Sequence, residues 1–468
     1  SKREPFPAFL LYNREMLRKP LHRFFGLFLL GLTIHLIARR GLEGDTHVML
    51  DNVQGALACV REGQWSNCSE AGQFGLFQFL PAFLLTALGL SKSAVMHVLA
   101  YLSFSGFFLS LYLMYRGLRV RSRSVAILGL FVLLSGYDLW YANSSFAEMG
   151  SAFFILALAF VLVVPFPAGK KILLSSLLLF VSALTKETAL PFLWVIVGLG
   201  LWVGKHSMRE KGLLLLCATL SSVLAIAAIV GFNYFRFGKP YNLLYLDPAF
   251  IVPTLSLQVS LFFGLWFSPS GGVAFFWPSF FLLFPVTLWL IRRNSRNFRN
   301  CLKNGIVLAG IGALLALLSF GFARWWSPFG WAAWGPRLLL PWLPVSAFLL
   351  LFTYADEFQA GLARLGQNAG RFWIAGTLIV AASFPQFAIL TNRPMIAKVI
   401  EGHAAVCADI HENIGIYYDC LLAAVWPKRW GILELYRIWP RPELFITSLL
   451  YSAFLLLMLQ ALRTTRES

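Results

Sequence analysis

Charge is what this chain has least of. Only 13% of its 468 residues are Asp, Glu, Lys or Arg, and just 21 are acidic, against about 25% charged residues in an ordinary soluble domain. A soluble protein of this length would be expected to divide into several polar-coated domains. Apolar runs instead recur from Phe24 to the C-terminus, with no polar block longer than about 55 residues. The signatures of nucleotide chemistry are also missing, since there is neither a P-loop nor a dinucleotide glycine fingerprint. A nucleoside triphosphate or soluble nucleotide-sugar substrate is therefore disfavoured. His47, His97, His403 and His411 show no metal-ligand spacing, so no metal or other cofactor is indicated. Short repeats are absent, as is the likeness between halves that marks many transporters.

What the chain does have is 58% hydrophobic and 16% aromatic residues. That composition reads as an all-α polytopic membrane protein, with one membrane domain over residues 1–468. The net charge of +18 comes from Lys and Arg gathered at the ends of apolar runs. No aromatic-interleaved basic face of the kind that binds strands is present, which argues against nucleic acid and for membrane lipid as the surrounding partner.

Residues 1–23 carry six Lys or Arg and are placed in the cytoplasm by the positive-inside rule. Phe24–Ala38 is followed by Arg39-Arg40 and not by a small-residue cleavage site, so it is expected to be a retained span. About twelve spans are expected in all, at 24–38, 93–115, 125–139, 149–166, 172–185, 188–204, 212–231, 272–291, 304–320, 338–353, 372–389 and 443–461. The apolar stretch Phe74–Leu90 is excluded from that count, because including it would put Arg116, Arg119, Arg121 and Arg123 outside. It is expected instead to lie along the outer surface as an amphipathic helix. With this choice 24 of the 39 Lys and Arg fall in about 81 cytoplasmic residues and 15 in about 174 outer ones. The sizeable loops are then all outer: the first at 39–92, those at 232–271 and 321–337 that would line a site, and 390–442 before the last span. Cys59 with Cys68 and Cys407 with Cys420 fall in these loops as local pairs, suited to disulfides in an oxidising compartment. Cys217 and Cys301 are expected to be free thiols.

Candidate chemistry also collects in the outer loops. Glu43, Asp45, His47 and Asp51 stand beside a hydrophobic span, where carboxylates are costly and tend to be functional. Asp45 reads either as a general base or as a helix N-cap, with His47 in support. Glu148 opens a span and reads either as a second acid on the same side or as a favourable charge at a helix N-terminus. Residues 321–344 set Arg324 and Arg337 among five tryptophans, a composition suited to a lipid phosphate, since guanidinium matches phosphate oxygens bidentately. A snorkelling span-end arginine and interfacial anchoring of the tryptophans are the plainer readings. Lys186, in Thr185-Lys186-Glu187-Thr188, either meets a phosphate or pairs with Glu187. Ser268-Pro269-Ser270-Gly271-Gly272 interrupts an apolar run, as a cavity wall or as an interfacial turn.

Taken together, Gly44-Asp45 in the first outer loop, Phe-Leu-Pro-Ala at 79–82, Leu-Gly-Leu-Ser at 88–91, Leu-Thr-Lys-Glu at 184–187, Arg-Phe-Gly-Lys-Pro at 236–240, Phe-Ser-Pro-Ser-Gly-Gly at 267–272 and Trp-Gly-Pro-Arg-Leu-Leu-Leu-Pro at 334–341 resemble bacterial members of the GT-C glycosyltransferase superfamily. The likeness spans roughly residues 24–350 and is nearest the branch akin to protein O-mannosyltransferases and lipid A aminoarabinose transferase. It implies the GT-C fold, a multi-pass protein of the inner (cytoplasmic) membrane, a polyprenyl-phosphate sugar donor, and Asp45 as catalytic base in a periplasmic site. It also implies a surface-lying helix in the first outer loop. Where many relatives carry Asp-Glu, this chain has Asp45-Thr46, which leaves Glu43, Asp51 and Glu148 as supporting acids. The acceptor is expected to be a glycolipid, glycan or protein. Two rival classes stay open: a polysaccharide polymerase or ligase using a lipid diphosphate donor, and a twelve-span transporter or flippase. Against transport, the acids lie in outer loops and Tyr115-Arg116-Gly117-Leu118-Arg119 lacks the Gly/Asp/Arg pattern of the major facilitator group.

Overall fold

In a computed structural model, the structure describes residues 44–72, 74–142, 144–186, 188–242, 251–269, 271–294, 298–325, 328–329, 335–388, 420, 422–423, 425–426 and 442–464. At 44–45, 294, 298–304, 384–388, 442–448 and 464 the description stops at the backbone. The described residues are helical apart from turns and one isolated bridge, Ile251 to Trp325. Four helices, Lys92–Arg119, Ala168–Thr185, Met208–Phe237 and Gly305–Ala323, are long and apolar enough to cross a membrane. A fifth follows if the bent pair Arg337–Thr353 and Ala355–Gln367 is one span. Shorter apolar helices occupy 123–134, 148–163, 190–203, 369–383 and 449–463, where other spans were expected. The expected span 24–38 and most of the loop 390–442 lie outside the described residues.

At the centre is α6. In chain order α1 is Gly44–Arg61, α2 Leu76–Ala87, α3 Lys92–Arg119, α4 Arg123–Leu134, α5 Asp138–Ala142 and α6 Glu148–Val163. Apolar on all sides, α6 is buried along most of its length, as a helix inside a bundle must be. It packs against α3, α7 (Ala168–Thr185), α8 (Leu190–Val203) and the 3₁₀ turn Arg337–Trp342. Small residues make the approach close: a Cβ built at Gly106 on α3 would stand 3.1 Å from the Met149 carbonyl oxygen.

Two expected spans prove broken. Residues 125–139 divide between α4 and α5, and the carbonyls released at the break are met by side chains from remote segments. Trp277 Nε1 donates to Val132 O at 2.7 Å, the Tyr451 hydroxyl to Leu134 O at 2.9 Å, and the Ser135 and Ser279 hydroxyls join at 2.6 Å. Non-helical backbone inside a membrane protein requires such partners. The second expected span, 272–291, breaks at Trp277, ahead of Pro278, which lacks an N–H to donate and suits a helix start. The loop expected at 232–271 also changes in content. Met208–Phe237 (α9) runs six residues past the expected end at 231, and Leu255–Phe267 (α10) is an apolar helix packed on Gly305–Ala323. Gln258 Nε2 donates to Phe320 O at 2.9 Å and Trp266 Nε1 to Ser319 Oγ at 3.0 Å across that contact.

The segment expected as the first outer loop forms a unit with its own small core. Met49, Leu50, Val53 and Ala56 recur at helical spacing on the buried face of α1 and meet Phe79 and Ala82 of α2. Within the expected surface helix 74–90 the helix proper is Leu76–Ala87, stopped by Gly89 at φ 86°. It buries Phe79 while Leu80, Leu84 and Leu88 face outward. Cys59 and Cys68 form the expected disulfide, closing the turn after α1. Cys420 is disulfide-bonded too, with its expected partner Cys407 outside the described residues; Cys217 is a free thiol. The unit is joined to the end of α9 by Cys68 N to Phe235 O at 2.8 Å and Asn67 N to Tyr234 O at 3.3 Å. At the other end of the bundle, where Lys170, Lys205, Arg209 and Lys211 lie, Glu210 pairs with Lys171 and His206, each at 3.2 Å.

Removing the covalent closure should loosen this unit first. Cys68→Ser is expected to lower its stability by about 2–3 kcal/mol, the entropy scale of a short closed loop. Hydrogen exchange over residues 46–71 should rise while exchange in α6 stays unchanged.

Candidate active site

A buried ion pair lies where α6 begins. Glu148 is the first residue of α6 and nearly buried, and Arg337 opens the 3₁₀ turn that packs against it. Arg337 Nε stands 3.2 Å from Glu148 Oε1, with both side chains about nine-tenths buried. The guanidinium also lies over the Phe146 ring, 4.6 Å from its centroid, a position that rewards a desolvated cation. A carboxylate at the first turn of a helix gains from the helix dipole as well, so Glu148 is stabilised from two directions.

The backbone around Arg337 is fixed by neighbours. Its N–H donates to Phe329 O at 3.0 Å and Gly335 O at 2.9 Å. The Tyr137 hydroxyl donates to Pro336 O at 2.9 Å. Gly335 sits at φ 63°, and a Cβ there would be 3.0 Å from the Tyr137 ring; both conditions favour glycine. Ser103 Oγ donates to Phe146 O at 2.6 Å, holding that ring's segment to α3.

Helix α1 meets the same corner through Thr46. The Thr46 and Ser145 hydroxyls hydrogen-bond at 2.8 Å, both buried. This ties the first turn of α1 to the segment that carries Phe146 and Glu148. Asp45 lies within α1, which is described from Gly44, and so is not at a cap position ahead of the helix. The Asp45 side chain lies outside the described residues, as does all of Glu43.

The other expected residues are placed differently. Asp51 is exposed and pairs with Lys92 and, at 2.9 Å, with His47, so these two line the outward face of α1 while Thr46 faces inward. Lys186 caps the C-terminus of α7, with its ammonium 5.9 Å from the centre of the Phe322 ring. Arg324 is exposed, and its carbonyl accepts from Val252 N at 2.9 Å. Of the five tryptophans, Trp342 is core and not interface: it is buried, with its ring 5.9 Å from that of Phe192. Ser145, Phe146 and Tyr137 were not expected in this corner, and Thr46 was noted only as the residue standing where relatives carry Glu. The one available signal was Phe146, two residues before Glu148. Among the described residues no group of three or more His, Cys, Asp or Glu is placed to hold a metal ion.

The described residues thus define an all-α, polytopic membrane protein with several apolar helices and a buried charged corner at one end of the bundle. No family model matches the chain, and no curated protein matches it either. Among solved structures it is similar to ArnT from Cupriavidus metallidurans bound to undecaprenyl phosphate, with 16% identity, a TM-score of 0.45, and 89% of this chain against 76% of that one covered. To the apo state of the same protein the identity is 14% and the TM-score 0.44, over the same shares. At those scores the functional reading rests on the residues themselves.

The Lys92 ammonium, hydrogen-bonded to Asp51, holds that carboxyl below its ordinary value, with desolvation opposing and His47 adding to the effect. A carboxyl depressed in the folded state contributes stability above its unfolded pKa, about 3.9, and loses it as pH falls through the folded value. Asp51→Asn is therefore expected to show a small melting-temperature deficit near pH 7 that begins to shrink only below about pH 4. A deficit independent of pH would show that charge pairing is not its source.

Proposed function

We propose that this protein is a GT-C-type glycosyltransferase, which moves a sugar from a polyprenyl-phosphate donor to a lipid, glycan or protein acceptor at the outer face of the cytoplasmic membrane. The observation that carries it is the buried Arg337–Glu148 pair against Phe146, tied through Ser145 and Thr46 to the helix turn that holds Asp45. The motifs of the first outer loop and of 334–341 support the same reading. So does the placement of basic residues. Arg116 and Arg119 end α3, Lys170 and Lys171 begin α7, and Arg209 and Lys211 begin α9, whereas Glu148, Lys186 and Arg236 stand at the opposite helix ends. By the positive-inside rule that opposite end is the outer one.

In this reading Asp45 takes the proton of an acceptor hydroxyl. The acceptor oxygen bonds to the anomeric carbon as the bond from that carbon to the phosphate oxygen breaks, and polyprenyl phosphate leaves with the electron pair. In-line attack inverts the centre. A glycosidase needs a second carboxyl to protonate its alkoxide leaving group, whereas a phosphate monoester leaves as a weak base and needs cations. Arg337 and Lys186, with Arg324 at the rim, stabilise its growing charge. Glu148 balances Arg337 until the donor phosphate arrives, and supports Asp45 in the corner.

With a defined polyprenyl-phosphate sugar and acceptor, Asp45→Asn is expected to lower turnover by about 10²–10⁴-fold in a folded protein. Retained turnover rules out Asp45 as the base. Glu148→Ala leaves Arg337 without its carboxylate and is expected to cost about 3–5 kcal/mol of stability, part of which added polyprenyl phosphate should restore. Equal melting with and without the lipid would remove phosphate binding from Arg337.

A further inference from the structure

A second arginine is buried more completely than Arg337 and lies outside the proposed chemistry. Arg236, in the last turn of α9, has no exposed surface. Its Nη1 donates to Phe74 O at 2.8 Å and Gly72 O at 3.3 Å, and its Nη2 donates to Asn233 Oδ1. The guanidinium lies 4.3 Å from the centre of the Phe232 ring and 4.8 Å from that of Phe237. Burying such a charge is expensive, and an apolar residue would pack α9 against the outer loop more cheaply. What arginine adds is reach: it donates to the carbonyls of Gly72 and Phe74, in the strap that joins the disulfide-closed turn to α2.

The strap and the start of α2 touch the residue before Lys186 and the first turn of α6. At Gly75 a Cβ would stand 3.0 Å from the Thr185 carbonyl oxygen, so the strap backbone lies directly on the residue before Lys186. Two residues on, the Phe77 ring packs edge-on to Phe154 at 5.3 Å and faces Gly150, two residues into α6 from Glu148. Gly72, at φ 67° and in contact with Asn52 of α1, fixes the strap's other end.

We propose that Arg236 is a positioning residue: by clamping the strap against Thr185, and through it the start of α2 against Gly150, it sets where Lys186 stands relative to Arg337. This rests on the reading of those two cations as phosphate ligands. A displacement of about 1 Å is enough to cost up to about 10²-fold in a preorganised site.

The test is titration calorimetry of the full chain in detergent with a short-chain polyprenyl phosphate. Arg236→Gln and Gly75→Ala are expected to weaken binding by about ten- to hundredfold each. Gly75 has φ −66°, open to alanine, so this second variant disturbs the strap without touching Arg236 and decides the matter if Arg236→Gln fails to fold. In a Lys186→Ala background neither substitution should weaken binding further, because the effect passes through Lys186. The proposal is overturned if folded variants, with Cys59–Cys68 closed, bind as the wild type does, or if they lose affinity equally with and without Lys186. Absence of saturable binding by the wild type, or unchanged binding by Arg337→Ala, overturns the phosphate reading and this inference with it.

Discussion

A guanidinium removed from water must be met on several sides at once, and much of this structure follows from meeting two of them. Arg337 is met by one carboxylate, an aromatic face and a rigid backbone turn. Arg236 is met by carbonyls and two rings. The difference in partners separates their roles. A carboxylate can be exchanged for another anion, so the Arg337 pair is suited to a ligand that competes for it. Carbonyls of the chain have no free competitor at comparable local concentration, so the Arg236 contacts suit a permanent clamp.

The same demand explains the broken helices. A continuous helix satisfies its own carbonyls, and breaking one inside the bundle releases groups that cost several kcal/mol each if unmet. At 135–137 they are met by Trp277, Ser279 and Tyr451, from three later positions in the chain. The break lets α5 turn, and Tyr137 within it reaches Pro336 beside Arg337. The irregular backbone thus supports the turn that holds Arg337.

How far the sequence reveals this depends on the range of the interaction. Helix positions were legible because apolar runs are local, and most expected spans coincide with helices. The Cys59–Cys68 disulfide was legible for the same reason. The breaks at 135–137 and 277 were not, since the side chains that pay for the first come from residues 145 and 317 positions away. Helix α10 was hidden because Phe-Ser-Pro-Ser-Gly-Gly drew attention to a turn while Leu255–Phe267 before it is short. Within the site, Glu148 was visible as a first-turn acid and Arg337 as an arginine among tryptophans, but nothing local joined them. Asp51 and His47 looked like members of an acidic cluster because they neighbour Asp45 in sequence; the helix turns them away from the face of Thr46, to where Lys92 waits.

The small core of the first outer loop has a consequence for biosynthesis. Its packing partners Phe232 and Phe235, and the clamp from Arg236, belong to a helix made long after this segment, Arg236 standing 162 positions after Phe74. A ribosome delivers this segment first, and it stays half-finished until α9 has been made. The Cys59–Cys68 bond needs only residues already present, so it can close early and shorten what has to be held open. Assembly of this face is therefore completed from late in the chain back onto its beginning, and an insertion error at α9 would be felt first in a segment translated well before it.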